Sequence, residues 1–175
     1  MMAYLVVSPL SKLAETALRH SPRELVTLMN KGTAMERPAM IAENCHYYLE
    51  FNDINEPQDG LVAPTETEIY KLLDIAGNWN RSHPLLINCF LGISRSTAAA
   101  FLMACALQPQ KSEADIAKLL RQNSATATPN KLMVALADEI LGRGGRMSAA
   151  IADIGRGAEA FEGTPFILPI ENQAG

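Results

Sequence analysis

Cys89 and Arg95, separated by Phe90, Leu91, Gly92, Ile93 and Ser94 and followed at once by Ser96, are the residues of this chain whose types and spacing promise chemistry. Five residues suffice to curl a backbone around one tetrahedral oxyanion, so that several N–H groups converge on it while a following helix adds its positive end. Arg95 then offers a planar fork to two of the anion's oxygens. The same field favours the thiolate of Cys89 over the thiol, and the thiolate is the nucleophile. Phe90 to Ser94 would thus line a phosphate-binding loop, with a cysteine nucleophile at its floor.

A cysteine and an arginine at this spacing need the right elements on either side. Pro84-Leu85-Leu86-Ile87 is a short apolar run of the kind that makes a buried strand, and Ser94 to Leu107 is Ala-rich, apolar nearly all round and free of Gly and Pro until Pro109. Strand, loop and buried helix therefore follow one another, as the trap requires.

The same order of elements recurs along the N-terminal half. Tyr4 to Val7, Leu25 to Met29 and His46 to Phe51 read as further strands, with a helix over Leu13 to Arg19. Phe51 to Pro64 is a polar connection longer than most in compact domains, which marks it for function. Thr65 with Glu68 forms a capping box before the stripe Ile69, Leu72, Leu73 and Ala76. Ser112 with Asp115 opens another helix, and Thr128-Pro129 opens one more that ends at Gly142. A short helix over Met147 to Ile154 and a Gly- and Pro-punctuated tail complete the chain.

Composition bounds the partners. The chain has 175 residues, 48% hydrophobic and 19% charged, which is ordinary for one soluble domain. Its net charge is −4 and no Lys/Arg run appears, arguing against nucleic acid and anionic membranes as partners. Ala3 to Val7 lacks the length and basic flank of a signal segment, and Thr97 to Leu107 falls short of the ~20 residues that span a bilayer, so a cytoplasmic protein is expected. Cys45, Cys89 and Cys105 are odd in number and lack metal-ligand spacing, which fits a reducing compartment without disulfide or zinc. Cys45 and Cys105 read as packing residues, His20, His46 and His83 have no ligand partners, and Trp79 reads as core or rim.

Cys89, Gly92, Ser94, Arg95 and Ser96 resemble the signature of the cysteine-dependent protein tyrosine phosphatases, in which His-Cys is followed by five residues and Arg-Ser/Thr. Asn88 stands where that family usually has His. Phe51-Asn52-Asp53-Ile54-Asn55-Glu56-Pro57 resembles the family's general-acid loop, with an aromatic residue two before the Asp and a proline four after it; Asp59 and Glu56 share the loop as rivals. Arg121-Gln122-Asn123 and, further on, Pro129-Asn130 resemble the segment that follows the cradle in the dual-specificity branch, where it buttresses the cradle.

The resemblance implies a three-layer α/β fold with a mostly parallel central sheet of about four or five strands flanked by helices. Residues 1–142 would form the phosphatase-like domain, and residues 143–175 a helix and tail packed on its outside. It further implies hydrolysis of phosphomonoesters through a cysteinyl phosphate: Cys89 attacks, Arg95 binds phosphate, Asp53 serves as acid and then base, and Ser96 stabilises the sulfur as it leaves. Neither metal nor organic cofactor is required. The expected substrate is a phosphorylated protein or a small phosphate ester, and the oligomeric state stays open. Two alternatives remain at this stage, a weakly active or inactive module that binds phosphorylated ligands, and a rhodanese-like sulfurtransferase, which also sets a cysteine in an anion-cradling loop.

Overall fold

The apolar runs become the centre of a twisted sheet. In the computed structural model, which describes residues 2–171, β1 (Ala3–Pro9), β2 (Glu24–Met29), β3 (His46–Glu50) and β4 (Leu85–Cys89) are parallel. β5 (Phe166–Ile170) runs antiparallel to β1, giving the order β3-β2-β4-β1-β5. Parallel strands are buried on both faces, and β4, with every residue buried, has no polar-out alternation to show in its sequence. Because β4 lies between β1 and β2, the chain leaves the sheet in opposite directions around it. Ligands of such sheets bind outside the carboxyl ends of the strands at this switch point, which is where Cys89 sits.

α1 (Leu13–His20) packs on one face, over Val6, Leu25 and Leu86. α2 (Glu66–Asn78), α3 (Arg95–Leu107), α4 (Glu113–Asn123), α5 (Lys131–Ile140) and α6 (Arg146–Ile154) gather on the other. Twelve of the thirteen residues of α3 are buried, so it needs small side chains all round rather than one apolar stripe, and its alanines supply them. The Glu68 carboxylate accepts from the Thr65 backbone N–H at 2.8 Å, closing the capping box at the start of α2.

Two elements depart from expectation. α5 begins two residues later than Pro129: Asn130 is its N-cap, accepting from the Met133 N–H at 2.9 Å, and Pro129 precedes the cap. The tail does not simply pack on the outside, because Phe166–Ile170 completes the sheet. Pro169 in a strand argues against a central position but suits an edge, where its missing N–H faces no partner strand. Residues 172–175 of that tail lie outside the described residues.

The turn between α5 and α6 is locked by charge. Arg143 Nη1 donates to Glu113 Oε1 at 2.8 Å and Nη2 to the Cys105 carbonyl at 3.0 Å, while Arg146 Nε donates to Glu113 Oε2 at 3.2 Å. Burial alone would raise the Glu113 pKa, but the two guanidinium hydrogen bonds outweigh it and hold it at about 2 against an ordinary 4.5. A folded pKa below the unfolded one means stability that is present above pH 4.5 and is lost as pH falls toward about 2. Glu113→Gln is therefore expected to lower the unfolding free energy at neutral pH by about 2 to 4 kcal/mol. In urea titrations the gap to wild type should shrink as pH falls from about 5 to about 2; a gap independent of pH would contradict this role.

Candidate active site

The loop after β4 is held open by where its carbonyls point. Phe90 O accepts from Leu10 N at 3.1 Å, Leu91 O from Gly163 N at 2.7 Å, Ile93 O from Thr128 N at 2.9 Å and Ser94 O from Asn130 N at 3.2 Å. Across a trans peptide the carbonyl and the next N–H point in opposite directions. Four carbonyls turned outward therefore turn the amides of Leu91, Gly92, Ser94 and Arg95 inward. The Gly92 amide confirms the sense, donating to Cys89 Sγ at 3.2 Å. Gly92 has φ +67°, and a Cβ on it would lie 2.7 Å from Pro9 N, so both backbone and space demand glycine. Gly163, outside the motif, is constrained by space alone: a Cβ on it would lie 2.6 Å from Gly92 O.

Cys89 ends β4 with its sulfur on the α3 side, buried but lining a cleft of about 480 Å³. Its second partner is Ser96 Oγ at 3.0 Å. No side chain caps α3: Ser96 is turned to the sulfur and Ser94 Oγ to Asp53, so the first-turn donors stay free for an anion.

Arg95 starts α3 and is buried. Its Nη1 donates to Asn30 Oδ1 at 2.8 Å and to Phe51 O at 2.7 Å. Both acceptors are neutral, so the guanidinium charge is fixed in place without being cancelled. Nε is buried without a partner among the described residues, and with Nη2 it forms the edge that a guanidinium presents to an oxyanion. Asn30 had no place in the sequence reading. Its signal is positional, a polar residue directly after a buried parallel strand at the carboxyl edge of the sheet.

Asp53 faces the cradle from the opposite rim. Oδ1 accepts from Ser94 Oγ at 2.7 Å and from Asn130 Nδ2 at 2.8 Å, which leaves Oδ2 toward the cleft. The loop that carries it is tied at several points. Asn52 and Val62 bond each other across its base, Asn130 Nδ2 reaches the Ile54 carbonyl, and Asn55 Oδ1 accepts from the first amides of α5. Asn130 thus buttresses the Asp53 loop as well as Ser94. Glu56 and Asp59 are exposed and do not line this cleft.

Asn88 is fully buried, and its side chain lies on the face opposite the sulfur because neighbours in a strand alternate. Its Oδ1 accepts from Thr27 Oγ1 at 2.7 Å and its Nδ2 has no partner among the described residues, so the amide does not touch the Cys89 sulfur. Cys45 is remote too. Register places it level with Leu85 and two strands from Cys89, about 16 Å away at ~3.3 Å per residue and ~4.8 Å per strand, far beyond the ~7 Å that a disulfide spans. Cys105 is buried in α3, where burial pushes its thiol up to about 12. Trp79 is core, while His83 is exposed and bonded to Ser82.

No family model matches the sequence, and no curated protein matches it. Solved structures do. Human tyrosine phosphatase-like serine/threonine/tyrosine-interacting protein superposes with a TM-score of 0.60 at 14% identity, over 78% of this chain and 90% of that one. Cydia pomonella PTP-2 phosphatase gives 0.61 at 15%, over 79% and 90%. Human DUSP28 gives 0.59 at 12%, over 85% and 94%. At such identities the likeness speaks for architecture alone. The chain has the α/β fold of the dual-specificity and tyrosine phosphatase-like proteins.

Proposed function

We propose that the chain is a cysteine-dependent phosphomonoesterase of the protein tyrosine or dual-specificity type. One observation carries the reading: a buried arginine, held by neutral acceptors with its Nε unpartnered, shares a cleft with a cysteine sulfur and an exposed carboxylate. The phosphoryl group sits in the Phe90 to Ser94 loop, against the inward amides and the free edge of Arg95. The Cys89 thiolate forms the S–P bond as the ester P–O bond breaks, and Asp53 gives its proton to the departing oxygen. Water, deprotonated by the same carboxylate, then breaks the S–P bond and releases inorganic phosphate. Ser96 donates to the sulfur as its negative charge returns. This chemistry calls for neither metal nor organic cofactor, and a reducing cytoplasm would keep the thiol available.

A phosphate-binding module without turnover is the second reading, favoured by Asn88 in place of histidine with its amide nitrogen buried and unpaired. Sulfur transfer would have no use for the Asp53 loop, held to the cradle by Ser94 and Asn130.

With small aryl phosphates and tyrosine-phosphorylated peptides as substrates in EDTA, turnover is expected to vanish in Cys89→Ser and to be blocked by vanadate. Turnover retained by Cys89→Ser would rule out the covalent route, and a wild type that binds phosphopeptides without hydrolysing them would leave the binding module.

Asp53→Asn should slow a phenolic leaving group by about 10²- to 10⁴-fold and an activated one far less, with Asp59→Asn near wild type. Equal losses in the two variants would remove the assignment. Asn130→Ser keeps an acceptor that caps α5 but is too short to donate to Asp53, so its melting temperature should stay close to wild type while turnover falls by about tenfold. A fall in melting temperature with turnover intact would make Asn130 a cap only.

A further inference from the structure

Residues 155–165, between α6 and β5, form a strap along the mouth of the cradle. The Gly157 amide donates to Thr128 Oγ1 at 3.1 Å, that of Ala158 to Ala125 O at 2.8 Å, and that of Gly163 to Leu91 O at 2.7 Å. A Cβ on Gly157 would lie 2.5 Å from Thr126, so the close approach is built in. Between these pins, Glu159, Ala160 and Phe161 make no backbone hydrogen bond among the described residues. Phe161 is 87% exposed. The strap walls a groove of about 730 Å³ that shares Asp53, Ile93 and Ser94 with the catalytic cleft, so the two are continuous. Hydrolysis of a small ester makes no use of this groove.

We propose that the groove takes the polypeptide that flanks the phosphorylated residue, with its main chain along Glu159 to Phe161 and an acidic side chain at Arg156. The inference rests on the reading of the Cys89 loop as a phosphoryl site. Free N–H and C=O groups in succession are what an extended peptide pairs with when it lies beside an unpaired segment. Arg156 is the sole cation besides Arg95 among the described residues that line the two clefts. Its present partner, Glu159, is 3.8 Å away, and both side chains are at least three-quarters exposed (76% and 88%), so the pair exchanges for a substrate carboxylate at little cost. Glu159 and Glu162 on the strap, with a net charge of −4, oppose approach to the extended negative surface of an anionic lipid membrane, whereas a peptide can bring a single carboxylate to Arg156. The exposed Phe161 ring offers an apolar contact to the same chain.

The test uses the full chain carrying Cys89→Ser, so that ligand stays intact. Fluorescence anisotropy is read with tyrosine-phosphorylated decapeptides flanked by glutamates or by lysines, with and without Arg156→Glu or Phe161→Ser. Arg156→Glu is expected to weaken the glutamate-flanked peptide by about tenfold and to leave or improve the lysine-flanked one. Phe161→Ser should weaken both by a few-fold. With Cys89 intact, both exposed-site variants should hydrolyse p-nitrophenyl phosphate within about twofold of wild type, since neither residue touches the phosphoryl group. Equal shifts for the two peptides on Arg156→Glu, no shift, or no binding of either peptide would overturn the proposal. Arg156-dependent binding in a protein that hydrolyses no ester would uphold the groove and overturn the enzymatic reading. Hydrolysis of p-nitrophenyl phosphate without peptide discrimination would do the reverse.

Discussion

Everything at this site depends on four carbonyls facing away from it. A seven-residue turn around an anion works only if its amides converge, and amides converge only if the carbonyls on the other side of each peptide plane find partners elsewhere. Those partners come from four separate places, the turn after β1, the segment before α5, the N-cap of α5 and the strap before β5. The cradle is therefore as rigid as the packing that brings the four together. Gly92 against Pro9 and Gly163 against Gly92 are the close contacts that let the layers approach.

Charge is handled in the same indirect way. The anion site proposed for this acidic chain is made of backbone dipoles, a helix start and one buried arginine. Arg95 has lost its water but is held by an amide and a carbonyl, not by a carboxylate. A desolvated cation without a counter-charge is costly, and a bound oxyanion removes that cost. A carboxylate at position 30 would steady the arginine equally well and would compete with the anion for it.

Asn88 shows how strand geometry separates neighbours in the sequence. It is covalently next to Cys89, yet the pleat sends it to the α1 side, into a polar line with Thr27 and His46 across the sheet. Burial, with Arg37 nearby, lowers the His46 pKa below its ordinary 6.5, so the ring is neutral at pH 7. With the Thr27 proton given to Asn88 Oδ1, the His46 Nε2 is left to donate to Thr27. An amide at position 88 therefore bears on Cys89 through the strand backbone, not by contact with the sulfur.

The sequence by itself determined the parts whose physics is local. Apolar runs of strand length, the Thr65 and Ser112 caps, the alanine-rich helix and the spacing from Cys89 to Ser96 each depend on residues within a few positions of one another. The resemblance of its loop pointed to Asp53, which the fold brings to the cleft beside Cys89, although the two donors that turn its carboxylate were not legible. Tertiary structure decided what depends on partners distant in the chain. Asn30 meets Arg95 across 65 positions because parallel strands deliver their carboxyl ends to one edge whatever their order in sequence, and Asn130 meets Asp53 across 77 because the start of α5 packs against that same edge. The edge strand with Pro169, the strap pinned at Gly163 and the face to which Asn88 turns belong to the same class: each is set by what lies beside it in the sheet, and a one-dimensional pattern carries no record of that neighbour.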